Sequence, residues 1–214
     1  MHNHKHIFFA VATLALALIL ALSGYPSTAF AADQDSDNDG IPDVAEQILG
    51  TNPKNADTDG DGVNDVDDQN PVFAENPIVN NATQVGFTIV EGLVENNVDP
   101  VTRKDASDHL EITLKNTTGK DLSGFEVYYT ITDNDTQKQE GYDVKVPDFV
   151  LKAGETVVIH FDTTDGPNHV LENVNSMYRT NPNAKTFDVV VSVPGFKTET
   201  VHIHKDAGGA EEAD

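Results

Sequence analysis

From residue 83 onward, apolar and polar residues alternate with a period of two, the spacing of strands with one buried face. "QVGFTIV" puts Val85, Phe87 and Ile89 on one side, and "HLEITL" does the same with Leu110, Ile112 and Leu114. "FEVYYTI" aligns Phe125, Val127, Tyr129 and Ile131, and "ETVVIHF" aligns Val157, Ile159 and Phe161. "FDVVVSV" aligns Phe187, Val189, Val191 and Val193, and "TVHIH" aligns Val201 and Ile203. "YDVKVPDFVL" adds one or two strands more. Turn clusters such as "NTTGKDLSG", "KAGET" and "VPGFK" separate these runs. About seven or eight short strands at this spacing predict a mainly β fold, an immunoglobulin-like antiparallel β-sandwich over residues 83–205. Only "NHVLENVNSMYRT" (168–180) reads as a short helix or a long crossing loop.

Residues 7–22 break that pattern with an uncharged apolar run, "IFFAVATLALALILAL". Lys5 precedes it, "SGYPST" follows it, and Ala29-Phe30-Ala31 fits a small-x-small cleavage site. Residues 1–31 therefore predict a removable export signal and a secreted, periplasmic or cell-surface protein. The run is short beside the roughly 20 residues of a membrane span, although a retained anchor is the alternative. Removal of the signal leaves 12 Lys+Arg against 36 Asp+Glu, a net charge of −24, because residues 1–31 carry one Lys and no acid. Such a charge disfavours nucleic acid and anionic membranes as partners and suits cations. The chain has no Cys, so a small exported module here must rely on metal rather than disulfides.

The acids concentrate in two stretches, "DSDNDGIPDVAE" (35–46) and "DTDGDGVNDVDD" (57–68). Numbered as twelve-residue calcium loops, positions 1, 3, 5, 9 and 12 are Asp35, Asp37, Asp39, Asp43 and Glu46 in the first. In the second they are Asp57, Asp59, Asp61, Asp65 and Asp68, with Asp67 as a substitute for the last. Position 6 is Gly40 or Gly62, where the loop must turn sharply. Position 7 is Ile41 or Val63, whose carbonyls would point inward. Every side-chain donor is a hard oxygen, which points to calcium or magnesium rather than zinc or copper, and six or seven oxygens from a flexible loop would favour calcium as the cofactor over the strictly octahedral magnesium. Two alternatives use similar loops. A paired EF-hand needs a helix before each loop and a backbone donor at position 8, which is Pro42. A dockerin needs a helix after each loop. "DVAEQILG" supplies one, ending at Gly50, but Gln69-Asn70-Pro71 prevents the second.

The run "DSDNDGIPDVAEQILGTNPKNADTDGDGVNDVDD" resembles the thrombospondin type 3 repeats of secreted microbial proteins. The resemblance implies that residues 33–70 wrap around calcium with little hydrophobic core, and that the ten acids named above are ligands. Two departures are Asn38 in place of a commoner Gly and Asp68 in place of Glu. Metal binding would then supply folding free energy for this module. A connector follows at 71–82, entered through Asn70-Pro71 and carrying a second Asn-Pro step at Asn76-Pro77. The tail 206–214 lacks periodicity and reads as disordered.

Other chemistry is thin. No Gly-x-Ser-x-Gly elbow or His-Glu-x-x-His pair is present, and no catalytic residues are assigned. The chain also has no Trp, which leaves Tyr128, Tyr142 and Tyr178 as the aromatic faces for a sugar. His202 and His204 share a strand face and, with His160 or His169 nearby, would suit zinc or copper. The expectation is a non-enzymatic exported protein in which a calcium-ordered acidic spacer carries a sandwich used for adhesion, envelope assembly or partner recognition. Its partners would be calcium ions and a protein or cell surface. The rival is a transition-metal handling protein using His on the sandwich.

Overall fold

The computed structural model describes residues 34–98 and 102–209. The expected signal (1–31) and the last residues of the expected tail lie outside the described residues.

Residues 87–205 form two four-stranded sheets packed face to face. One holds β1 (Phe87–Leu93), β2 (Leu110–Asn116), β5 (Thr156–Asp162) and β6 (His169–Leu171), in that order. The other runs β4 (Gln139–Leu151), β3 (Leu122–Asp133), β7 (Lys185–Ser192), β8 (Glu199–Lys205). Every pairing is antiparallel except β5 with β6. The alternation seen in the sequence is what closes the core. Ile112, Leu114, Phe125, Val127, Ile131, Ile159, Phe161, Phe187, Val189 and Val191 are all buried between the sheets. Phe87 meets Phe125 edge-on at 5.7 Å, and Tyr129 stacks on Tyr142 at 5.1 Å. Segment 168–180 supplies both a short strand, β6, and a one-turn helix, α2 (Met177–Thr180). Val85 departs from the predicted pattern: it is exposed and lies before β1, which starts at Phe87.

The acid repeat does not project away as a separate spacer. Gln34 onward forms one compact unit with the sandwich. Its short helix α1 (Asp43–Leu49) ends at Gly50, whose N–H donates to the Glu46 carbonyl at 2.7 Å and whose φ of 85° turns the Thr51 N–H back to the same carbonyl at 3.2 Å. The following "GTNP" is then gripped by the loop after β6. Asn173 donates to the Gly50 carbonyl (2.7 Å) and Asn175 to the Thr51 carbonyl (2.7 Å), while Asn52 donates to the Glu172 carbonyl (3.0 Å). Lower down, the Asp143 N–H of β4 donates to the Asp59 carbonyl (2.7 Å). Gly60 lies so close that a Cβ there would stand 1.9 Å from the Asp143 carbonyl oxygen.

The first residues of the expected connector join the same edge. Gly141 N–H donates to the Val72 carbonyl and Ala74 N–H to the Gly141 carbonyl, both at 3.0 Å. Tyr128 OH donates to the Ala74 carbonyl. At the other end, the Asp206 N–H donates to Glu95 and the Gly208 N–H to the Pro182 carbonyl, so the described part of the tail is held rather than free.

Candidate metal centre

The two acid loops repeat one hydrogen-bond scheme. The N–H at position 6 donates to the position 1 carboxylate: Gly40 to Asp35 (3.2 Å) and Gly62 to Asp57 (3.0 Å). The N–H at position 5 donates to position 3: Asp39 to Asp37 (3.2 Å) and Asp61 to Asp59 (3.1 Å). The N–H at position 7 donates to position 5: Ile41 to Asp39 (2.6 Å) and Val63 to Asp61 (2.8 Å). The chain thereby curls around alternate carboxylates, leaving Asp35, Asp37 and Asp39 turned in and their neighbours out. Positive φ is needed at position 6 in both loops, 103° at Gly40 and 96° at Gly62. Position 4 needs it too. Asn38 meets the demand at 63°, since Asn tolerates the left-handed region, and Gly60 at 82°.

Position 9 does something the sequence reading did not foresee. Asp43 takes the Ser36 N–H and hydroxyl, each at 2.8 Å, and Asp65 takes the Thr58 N–H (2.8 Å) and hydroxyl (2.7 Å). These two acids lock the mouths of their loops. Asp65 also leaves its expected set: it gathers with Asp39 and Glu46 of the first loop, their oxygens within 4.8 Å of one another. Asp35, Asp37 and Asp39 form a second group, and Asp57, Asp59 and Asp61 a third. Asp68 stands outside the third group and accepts the Asn70 N–H at 2.8 Å.

Within these groups, oxygens are buried with nothing to bond. Asp35 Oδ1, Asp37 Oδ2, Asp39 Oδ2, Glu46 Oε2 and Asp59 Oδ2 have no hydrogen-bond partner, nor does Asp143 Oδ1 on the adjoining β4. Glu46 is fully enclosed, and Asp39 and Asp59 nearly so. No Lys or Arg among the described residues pairs with the loop acids. Burial pushes Glu46 up to about 7, with repulsion from Asp37 and Asp39 behind it. Burial pushes Asp59 up to about 6 against the pull of the Asp61 N–H. Asp37 and Asp65 are also raised, burial again being the main cause. Carboxylates in this state need either protons or a cation. The donor set is all hard oxygen in an irregular arrangement, which fits calcium better than a rigid octahedral ion.

Asp143 was not among the predicted ligands. Its signal in the sequence is an acid on the side of β4 opposite the apolar face of "YDVKV". Asp143 itself is buried where the second loop lies on the strand, whereas Lys145 on the same side stays exposed.

The expected histidine site is not assembled. His202 and His204 face outward on β8, paired with Asp188 (2.7 Å) and Asp206 (3.4 Å). His160 and His169 lie on the other sheet, where His109 joins them. Tyr128, Tyr142 and Tyr178 are buried and offer no platform to a sugar. No helix among the described residues is long and apolar enough to cross a membrane.

No family model matches the chain, and no curated protein matches it by sequence. Among solved structures, it resembles Bacteroides uniformis β-glucuronidase 2 at 16% identity and a TM-score of 0.30, over 57% of this chain and 13% of that one. Parabacteroides merdae β-glucuronidase is similar at 16% identity and 0.31, over 56% and 13%. The putative ApaA protein from Bordetella pertussis is similar at 13% identity and 0.34, over 59% and 97%. The chain thus spans about an eighth of the glucuronidases' length. Similarity of this extent carries no argument about activity.

Proposed function

We propose that this is an exported, non-enzymatic calcium-binding protein. Its acidic loops, of thrombospondin type 3-like character, hold calcium. They thereby order a module that braces one edge of a sandwich used for adhesion, envelope assembly or partner recognition. The observation that carries the calcium reading is the set of orphaned carboxylate oxygens sealed inside the loops. A buried acceptor without a donor costs about 1–3 kcal/mol, more when charged. Several together, without a basic residue, call for a cation. The ligands are Asp35, Asp37, Asp39 and Glu46 with Asp65 for one end, and Asp57, Asp59 and Asp61 for the other. Asp43 and the Thr58-bound face of Asp65 shape the loops. Partner recognition by the sandwich rests on the export signal and on the absence of any catalytic set from the sequence.

Calorimetry on metal-stripped protein tests the reading. Calcium should bind at two or more sites per chain, with a rise in ordered structure over residues 34–70. An absence of binding heat, or an acid module equally protected from protease with and without chelator, overturns it.

A further inference from the structure

Five side chains with metal-binding chemistry meet on the outer face of the β1-β2-β5-β6 sheet. His109 and Glu111 are two apart at the start of β2, and His160 and Asp162 are two apart at the end of β5. Glu111 pairs across the strands with His160, and His160 with His169 of β6. Strand geometry puts alternate residues on one face and cross-strand partners side by side, so the donors form a compact square with His169 along one edge.

The distances fit an ion. His109 Nε2 lies 3.1 Å from His160 Nδ1 and 3.1 Å from Glu111 Oε1, and His160 Nδ1 lies 3.2 Å from the same oxygen. Ligands held about 2.0–2.1 Å from a tetrahedral ion stand about 3.3–3.4 Å apart. This nearly equilateral triangle therefore matches one face of such a site, slightly contracted. Asp162 brings a further oxygen within 4.8 Å of the two imidazoles.

The outer partners are in place as well. His109 Nδ1 is 2.6 Å from the Ser107 carbonyl, so that nitrogen carries the hydrogen and Nε2 is the one that faces the cluster. Without a metal, protons on His109 Nε2 or His160 Nδ1 satisfy the Glu111 carboxylate. An ion would displace those protons and take the same three atoms as ligands. The Ser107 carbonyl then acts as the outer partner that metal-bound imidazoles use to fix tautomer and orientation. His169 plays that part for Asp162, its Nδ1 lying 2.9 Å and 3.0 Å from the two carboxylate oxygens. A pocket of about 230 Å³ whose lining includes Ser107, His109, Asp162, Thr163, Glu172 and Arg179 lies beside the cluster.

We propose that His109, His160, Glu111 and Asp162 form a zinc-class site, separate in place and chemistry from the acid loops. Imidazole with carboxylate suits a borderline ion, whereas the loops offer oxygen alone. The site does not depend on the calcium reading.

Cobalt(II) added to the calcium-saturated protein provides the probe, with calcium in large excess to occupy the loops. The expected result is an intense visible absorption of a four-coordinate ion at one equivalent, bleached by one equivalent of zinc. Copper(II) in a parallel arm should compete at the same stoichiometry. His160→Gln should abolish the band, and His202→Ala/His204→Ala should leave it intact. His169→Ala, a positioning change, should weaken zinc binding about 10–100-fold. Imidazole NMR of the unmodified protein covers the case in which His160→Gln fails to fold: zinc should shift His109 and His160 but not His202 or His204. A spectrum without the four-coordinate band, a band that calcium displaces, or zinc shifts confined to His202 and His204 overturns the proposal and leaves a hydrogen-bonded network only.

Discussion

The acid module and the sandwich are built inside out with respect to one another. In the sandwich, Phe, Ile, Val and Leu fill the interior. In residues 34–73 the buried side chains are Asp39, Glu46, Thr51, Asn52, Thr58, Asp59 and Asp65, all of them polar. Helix α1 shows the inversion within seven residues: Glu46 is 0% exposed, and Ile48 is 86% exposed. An ordinary amphipathic helix would face the other way. On the function proposed above, one chain uses two sources of cohesion, apolar burial in the sandwich and charge neutralisation in the acid module. Each should respond to a perturbation that leaves the other almost untouched.

Removal of calcium should have the largest effect. In chelator above about pH 7, where Glu46 has lost its proton, hydrogen exchange over residues 34–70 should rise to the rate of an unfolded chain, while β2, β3, β5 and β7 stay protected. Uniform loss of protection would show that the two regions are not separately sustained. Phe187→Ala is the converse. Phe187 is fully buried against Tyr178, and its loss should cost about 3–5 kcal/mol in denaturant melts. Calcium stoichiometry should not change.

Gly60→Ala attacks the seam between the regions. The left-handed backbone alone costs about 1–2 kcal/mol for a non-glycine residue, and the added methyl group overlaps the Asp143 carbonyl. The module should detach, as shown by proteolysis between residues 50 and 75, with the sandwich intact.

Glu46→Gln should act with opposite signs in the two ionic states. With calcium, affinity should fall by calorimetry. Without it, the module should become more stable, because a buried charge is gone. The pH dependence sharpens the point. Glu46 is raised from 4.5 to about 7 by burial and by Asp37 and Asp39. Between those values the metal-free folded chain holds a proton that the unfolded chain has released. Its stability should therefore fall as pH rises from about 4.5 to about 7, and Glu46→Gln should flatten that slope in thermal melts. The smallest effect belongs to Ile48→Ser. Ile48 touches no core, so the change should stay within about 0.5 kcal/mol. A larger loss would mean that α1 has a hydrophobic partner after all.

The parts legible in the sequence were those governed by short-range rules. Period-two alternation located β2, β3, β5, β7 and β8. The alternate acids with Gly40 and Gly62 gave the loop geometry, and "ILG" gave the end of α1. The docking of the module was not legible. It rests on Asn52, Asn173 and Asn175 amides meeting backbone carbonyls more than a hundred residues away in the sequence, and such contacts leave no periodic trace. Spacing suggested Asp43 and Asp65 as ligands but not their bonds to Ser36 and Thr58 at position 2, nor that Asp65 would gather with Asp39 and Glu46 of the first loop. His160 and His169 were candidates in the sequence, but they were matched with His202 and His204 of the other sheet rather than with His109, Glu111 and Asp162. His109-x-Glu111 and His160-x-Asp162 were visible as pairs, but the register that sets Glu111 against His160 was not.

Strand β4 is the outermost strand of its sheet. Its amides at Gly141 and Asp143 are already occupied by Val72 and Asp59 of the acid module. An outermost strand with free amides invites pairing with a neighbouring molecule. The acid loops therefore cover an edge that would otherwise be open to self-association, and with calcium as their proposed occupant that cover should last only while the surroundings supply the ion. Chelated protein should scatter more light with time, and restoring calcium before aggregates set should stop the rise.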